Sequence, residues 1–120
     1  MAKLIFKDDF MRNEYLLTGD EISIGRAPDN KLTIPDYQVF SELPGNKQRK
    51  YYKLLVRVSR RHAKIVCVDG RYSIYDIGSR DSGSSHGTFI NGERIMPQQQ
   101  YELKDGDIIR FGSVEAIFRG

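Results

Sequence analysis

The sequence contains a single cysteine, Cys67, and no apolar run as long as a membrane-spanning helix. One cysteine excludes an internal disulfide and any metal site built from several cysteines. Cys67 lies in the apolar run of residues 65–68, which is typical of an inert, buried thiol. Acidic residues follow the N-terminus too closely for a signal peptide, at Asp8 and Asp9. We therefore expect a cytoplasmic protein, or a nuclear one if the source is eukaryotic, with no membrane segment.

The motifs of common enzyme sites are also missing. The sequence has no P-loop, no zinc-ligand spacing and no dinucleotide-binding glycine pattern. Residues 83–87 match the G-x-S-x-G pattern of a hydrolase nucleophile, but that pattern requires a following helix, and here a strand and a hairpin turn follow. Ser59, His62 and Asp76 could form a triad on paper, although a serine so close to its base on one short loop is unusual. We predict a protein that is not an enzyme and has neither a cofactor nor a metal.

Short β-rich runs closed by turn residues account for most of the chain. Two of the turns, Asp69-Gly70 and Asn91-Gly92, have the residues of tight hairpins. No long segment shows apolar residues at helical spacing, so we expect few helices, if any. The pattern is typical of an all-β sandwich or barrel of about ten or eleven strands, in one domain of residues 1–120. The expected strands are residues 4–6, 14–17, 22–24, 32–34, 64–68, 72–77, 88–90, 93–95, 108–111 and 114–118.

Three short motifs follow one another along the chain. Gly25-Arg26 ends one β-rich run, residues 58–63 read Val-Ser-Arg-Arg-His-Ala, and residues 87–92 read Gly-Thr-Phe-Ile-Asn-Gly. An arginine on a tight turn, a serine beside further arginines and a glycine-rich loop with free hydroxyls can together surround a phosphate dianion. Spread over most of the chain, the motifs resemble the forkhead-associated (FHA) domain, one of the phospho-motif readers built on arginine clusters.

This resemblance implies a sandwich of two twisted, largely antiparallel β-sheets that binds phosphothreonine peptides on its loop end. The partner would be a protein phosphorylated on threonine by a serine/threonine kinase. Nucleic acid is not expected as a partner, since the net charge is only +3 and no RNA-binding motif is present. The residues implied to contact the phosphopeptide are Arg26, Ser59, Arg60, Ser85 and His86. The residues implied to support the site structurally are Gly25, His62, Gly87 and Asn91.

The chain departs from the family pattern in the loop before Gly87. The loop is several residues longer, so Ser79 offers a second alignment for the phosphate-contacting hydroxyl that we assign to Ser85. His86 replaces the usual asparagine, whose amide holds the peptide backbone beside the phosphothreonine. A neutral imidazole donates one hydrogen bond and accepts one, so it can replace the amide in part. We therefore expect His86 to change how the peptide is oriented more than whether phosphate is bound.

A second departure is the segment of residues 36–57, which we interpret as a long loop insertion, because the family usually has only a few residues there. It has five basic residues against two acidic ones, and the rest of the chain has fourteen of each sign, so the whole net charge of +3 lies here. The insertion could be a solvated loop anchored by its aromatic residues, or an accessory basic surface for an acidic peptide or nucleic acid. The aromatic residues are Tyr37, Phe40, Tyr51 and Tyr52.

One alternative function remains open, that of an FHA-like interaction or scaffold domain that binds protein independently of phosphate. Domains of this kind typically lack the arginine or the serine of the phosphate site. Because Arg26 and Ser59 are both present, the sequence favours recognition of a phosphothreonine peptide.

Overall fold

The computed structural model describes residues 2–78 and 82–120, which form eleven strands and two helices. The strands are β1 (Lys3–Phe6), β2 (Glu14–Leu16), β3 (Glu21–Gly25), β4 (Leu32–Thr33), β5 (Ala63–Val68), β6 (Arg71–Asp76), β7 (Thr88–Ile90), β8 (Glu93–Arg94), β9 (Tyr101–Glu102), β10 (Ile108–Phe111) and β11 (Val114–Arg119). The helices are α1 (Tyr37–Ser41) and α2 (Gly45–Leu55), both between β4 and β5.

The strands form two sheets. One has six strands in the order β2-β1-β11-β10-β7-β8, and the other has five in the order β4-β3-β5-β6-β9. The pairing of β3 with β4 is parallel, and the other pairs described between named strands are antiparallel. Both predicted hairpins are confirmed: Asp69-Gly70 joins β5 to β6, and Asn91-Gly92 joins β7 to β8. The predicted sandwich of about ten or eleven strands is therefore confirmed.

The core lies between the two sheets because alternate strand residues point toward it. On β11, Val114, Ala116 and Phe118 are buried while the residues between them are exposed or half-buried. Ile65 on β5 and Ile109 on β10 are fully buried, one from each sheet. Full burial of one such aliphatic side chain stabilises the fold by about 1.5–3 kcal/mol. This packing holds the strand ends, and hence the loops between them, in place.

The expectation that residues 36–57 form a loop is wrong, because both helices lie in this segment. The Asp36 carboxylate accepts hydrogen bonds of 3.1 Å from the backbone N–H groups of Gln38 and Val39, and so caps α1. A capped helix satisfies backbone donors that a solvated loop would leave to water. The segment of residues 36–57 is therefore largely helical.

Helix α2 is stabilised by one apolar face. Leu55 is buried in the core, and Tyr51 packs edge-to-face on Phe10 with ring centroids 5.1 Å apart. The signal was present in the sequence, because Tyr51, Leu54, Leu55 and Val58 follow the i, i+3, i+4, i+7 spacing of an amphipathic helix. Basic residues lie between these apolar residues, so the helical spacing was not recognised in the sequence.

One strand was also missed. β9 has two residues and pairs with β6 through Ser73 opposite Glu102 and Ile74 opposite Tyr101. β9 is revealed by its pairing with β6. Neither helix in the described ranges is both long and apolar enough to cross a membrane.

Candidate functional site

Three loops meet at one end of the sandwich because β3, β5 and β6 are neighbours in one sheet. Ile24 on β3 lies opposite Ala63 on β5, and Ala63 lies opposite Asp76 on β6. The loop after β3, the segment before β5 and the loop after β6 therefore leave the sheet side by side. They carry the residues that the sequence assigned to the site.

The first two loops approach each other closely at Gly25. A Cβ atom at this position would lie 2.3 Å from the carbonyl oxygen of Arg60, so a larger residue would push the two loops apart. Beyond this contact the Arg26 N–H donates to the Ser59 carbonyl and the Ala27 N–H donates to the Arg60 carbonyl, each over 3.0 Å. Gly25 thus supports the site by allowing the loops to pair.

Asn30 reinforces the same pairing, although no sequence motif pointed to it. Its buried amide nitrogen donates to the carbonyl oxygens of Ala27 and Arg60, both at 2.8 Å. The only sequence signal was its place at the end of a turn-forming run, residues 27–30. Asn30 fixes the backbone of Arg60, whose side chain is exposed.

Arg26 is half-buried and held by one edge of its guanidinium group. Its Nε donates to the Val58 carbonyl oxygen over 3.0 Å, and the Tyr37 hydroxyl of α1 donates to the Arg26 carbonyl. Within the described residues the terminal guanidinium nitrogens have no hydrogen-bond partner. A guanidinium fixed in this way keeps donors free for an anion without a large loss of side-chain entropy.

The two predicted hydroxyl residues come together although they are 26 residues apart. The Ser59 Oγ accepts a hydrogen bond of 3.1 Å from the backbone N–H of Ser85. The Ser59 hydroxyl keeps its own proton, so it can still donate to a ligand. The neighbouring His86 is exposed on the same loop. The alternative alignment through Ser79 lies outside the described residues.

His62 joins two of the loops from beneath the site. Its Nδ1 accepts a hydrogen bond of 2.9 Å from the backbone N–H of Ser59. Its Nε2 lies 2.9 Å from the carbonyl oxygen of Gly87. Since Nδ1 is the acceptor, Nε2 carries the proton and donates to Gly87. The ring is fully buried and lies edge-to-face against Phe111. Burial lowers the pKa of His62, chiefly because a charged ring would lose its hydration.

A catalytic triad of Ser59, His62 and Asp76 is not formed. His62 is bonded to the backbone N–H of Ser59 rather than to its hydroxyl, and the other ring nitrogen is bonded to Gly87. Asp76 is buried and accepts from the backbone N–H of Ser84 at 3.1 Å and from the Thr88 hydroxyl at 3.2 Å. Asp76 therefore shapes the loop after β6, a role that the sequence analysis missed.

Two further arginines lie near these loops. Arg61, whose direction the sequence did not reveal, is ion-paired with Asp29 over 2.6 Å at the exposed surface. Arg94 donates to the Ser84 carbonyl over 3.4 Å, and a Cβ atom on Gly87 would lie 2.7 Å from its Nε. Arg94 thus adds positive charge beside the glycine-rich loop. Only the pairing of β7 with β8 brings it there, so sequence order gave no signal for it.

Asn91 lies at the other end of β7, in the turn to β8. Its side chain donates to the Asp107 carboxylate over 3.0 Å and accepts from the backbone N–H of Ile108 over 2.9 Å. These contacts attach the turn to the start of β10. They stabilise the hairpin whose first strand follows directly on Gly87.

The buried neutral state of His62 makes stability depend on pH. Its pKa is lowered in the folded protein, so the unfolded state binds a proton first as the pH falls below about 6.5. This contribution to stability is therefore complete above that pH and is lost below it, by up to about 1.4 kcal/mol per pH unit. We expect the free energy of unfolding, measured with urea at pH 7, 6 and 5, to fall with pH. The fall per pH unit should be smaller in His62→Gln. Equal slopes in the two proteins would contradict it, because all other titrating groups are shared.

A β-sandwich that gathers arginine and serine side chains on paired loops at one end has the architecture of an interaction module. The family model of the FHA domain matches residues 22–112, and the chain belongs to this family. The resemblance inferred from the motifs is confirmed. FHA domains are interaction modules rather than enzymes.

Individual relatives agree with this assignment. The chain is 32% identical over 106 residues to the ABC transporter ATP-binding/permease protein Rv1747 of Mycobacterium tuberculosis, which covers 85% of this chain and 9% of that protein. It is 31% identical over 112 residues to the FHA domain-containing protein FhaA of the same organism, covering 93% of this chain and 16% of that protein. The chain thus spans only a small part of each of these relatives.

A solved structure supports the fold over the full chain. It belongs to a study of phosphothreonine-dependent FHA domain interactions and matches with a TM-score of 0.69 at 26% identity, covering 99% of this chain and 95% of that one. The match covers nearly the whole chain and therefore includes both sheets.

Proposed function

We propose that this chain is a phosphothreonine-peptide recognition module that mediates phosphorylation-dependent binding to a partner protein. The observation that supports the proposal best is the convergence of Arg26, Ser59 and Ser85. Ser59 and Ser85 are in direct hydrogen-bond contact, and the Arg26 side chain is bonded to the residue just before Ser59. An anion placed here would meet the terminal guanidinium nitrogens of Arg26 and the Ser59 hydroxyl, and such donors bind phosphate well.

Binding would need no chemical step. Arg26 and Arg60 supply charge, Ser59 and Ser85 supply hydroxyl donors, and together they replace the water that solvates the free phosphate. His86 is exposed beside them and can donate one hydrogen bond and accept another from the peptide backbone. His62, Gly25 and Gly87 hold these groups in place, as the contacts of His62 with Ser59 and Gly87 suggest. The partner on this proposal is a protein phosphorylated by a serine/threonine kinase.

Calorimetric titration with matched peptides tests this function. We expect a phosphothreonine peptide to bind in the micromolar range, and the same peptide without the phosphate to bind at least tenfold more weakly. The loss of even one charge-assisted hydrogen bond accounts for that difference, at about 1.5–3 kcal/mol each. A phosphoserine peptide of the same sequence is a suitable control for the threonine methyl group. Equal affinity for the phosphorylated and unphosphorylated peptides would refute the proposal and favour phosphate-independent binding.

A further inference from the structure

Helix α2 has two different faces. The inward face carries Tyr51 and Leu55, which pack on the core. Opposite them, at helical spacing, lie Arg49 and Lys53, both exposed, with Lys50 on one side of the pair and the exposed Arg57 in the turn just after the helix. We refer to Arg49, Lys50, Lys53 and Arg57 as the basic face.

The basic face lacks the carboxylates that would normally accompany such charges. The eleven residues of α2 include no acidic side chain, and Lys47, which flanks the basic face, is paired with Asp9. In residues 2–78 and 82–120, no carboxylate lies within ion-pairing distance of the basic face. Like charges four residues apart, such as Arg49 and Lys53, destabilise a helix by a few tenths of a kcal/mol. Solubility alone would be served by charges of both signs, so an unbalanced face indicates a binding role.

The basic face is joined rigidly to the candidate phosphate site. The end of α2 continues through Val58, whose N–H donates to the Leu55 carbonyl over 2.9 Å and whose own carbonyl accepts from Arg26. The Ser113 hydroxyl donates to the Leu54 carbonyl over 2.6 Å and attaches the same end of the helix to the β10–β11 turn. Ser59, which lies in the candidate phosphate site, therefore follows closely after Leu55, the last residue of α2.

We propose that the basic face binds an acidic segment of the same phosphorylated partner, beside its phosphothreonine. The inference rests on the proposed function and extends it by naming a second feature of the ligand. From Arg49 to Arg57 the face is on the order of 12 Å long at 1.5 Å per residue. That length matches about four residues of extended peptide at roughly 3.3 Å each. Proteins that bind duplex nucleic acid commonly contact about six to ten phosphates, more than this face offers.

The test uses phosphothreonine peptides that share one core. One peptide has four glutamates added on the N-terminal side, a second has them on the C-terminal side, and a third has four neutral residues instead. We expect one acidic peptide to bind the unaltered chain roughly 3- to 20-fold more tightly than the neutral peptide at low salt, the range expected for two or more exposed ion pairs. The gain should shrink at 0.5 M salt because exposed charges are screened.

Two variants with the same change of charge locate the effect. Arg49→Glu/Lys53→Glu should abolish the gain while leaving the affinity for the neutral peptide unchanged, since both side chains point away from the core. Arg71→Glu/Lys104→Glu places the same charges near the β5–β6 turn, at the far end of the sandwich, and should retain the gain.

The outcomes separate this inference from the proposed function. If phosphorylation makes no difference to any peptide, the proposed function fails and the inference fails with it. If phosphorylated peptides bind but the acidic ones gain nothing, or both double variants lose the gain equally, the inference alone is overturned. It is also overturned if the acidic peptides gain nothing while a single-stranded RNA or duplex DNA oligonucleotide binds in a manner that Arg49→Glu/Lys53→Glu abolishes.

Discussion

Replacing Arg26 with alanine is expected to weaken phosphothreonine-peptide binding by about 10- to 150-fold. This range corresponds to losing one charge-assisted hydrogen-bonded contact, at about 1.5–3 kcal/mol. Arg26 is half-buried and its Nε is already bonded to the Val58 carbonyl. The guanidinium therefore enters the complex already ordered, and its terminal nitrogens can bind two oxygens at once. Arg26→Lys should recover little of the loss because an ammonium group cannot make both contacts. Calorimetry with the phosphorylated peptide measures the effect.

Arg61→Ala is the matched control for that experiment. Arg61 lies in the same end of the molecule but is paired with Asp29 at the exposed surface. Exposed pairs contribute about 0–1 kcal/mol, so this variant should lower neither stability nor peptide affinity by much. Equal losses in Arg26→Ala and Arg61→Ala would show that only the overall charge matters. Unchanged binding by Arg26→Ala would remove this arginine from the site.

His62→Ala is expected to lower the free energy of unfolding by about 3–5 kcal/mol. The substitution removes a fully buried ring, leaves a cavity beside Phe111, and leaves the Ser59 N–H and the Gly87 carbonyl without their partner. For a domain of this size the midpoint of thermal unfolding should fall by roughly 10–20 °C. Calorimetric or circular-dichroism melting measures the change.

The second histidine of the chain provides the control. His86 is exposed, so His86→Ala should change the free energy of unfolding by less than about 0.5 kcal/mol. At temperatures where both variants are folded, His62→Ala should also bind the phosphopeptide more weakly, because the Ser59 and Gly87 loops are no longer joined. If the two histidine variants melt alike, the ring of His62 does not hold these loops together.

Local patterns in the sequence were sufficient for most of the sheet structure. Short β-rich runs closed by turn residues marked ten of the eleven strands in the described residues, and Asp69-Gly70 and Asn91-Gly92 marked two hairpins. These features depend on residues near each other in the chain, where side-chain period and turn preference act directly. Residues 36–57 were predicted to be a loop although the apolar residues of α2 have helical spacing, because basic residues lie between them. The contact of Tyr51 with Phe10 shows which face of the helix packs on the core.

At the candidate site, the amino-acid order showed which residue types were available and where each lay in the chain. Gly25-Arg26, Ser59-Arg60 and Ser85-His86-Gly87 were each identified from short motifs. Tertiary structure alone decided that the Ser85 N–H reaches the Ser59 hydroxyl, that Arg61 is paired with Asp29, and that Arg94 lies over Gly87. Hydrogen bonds and ion pairs act over a few ångströms, and only the packing of two sheets brings residues from distant parts of the chain within that range.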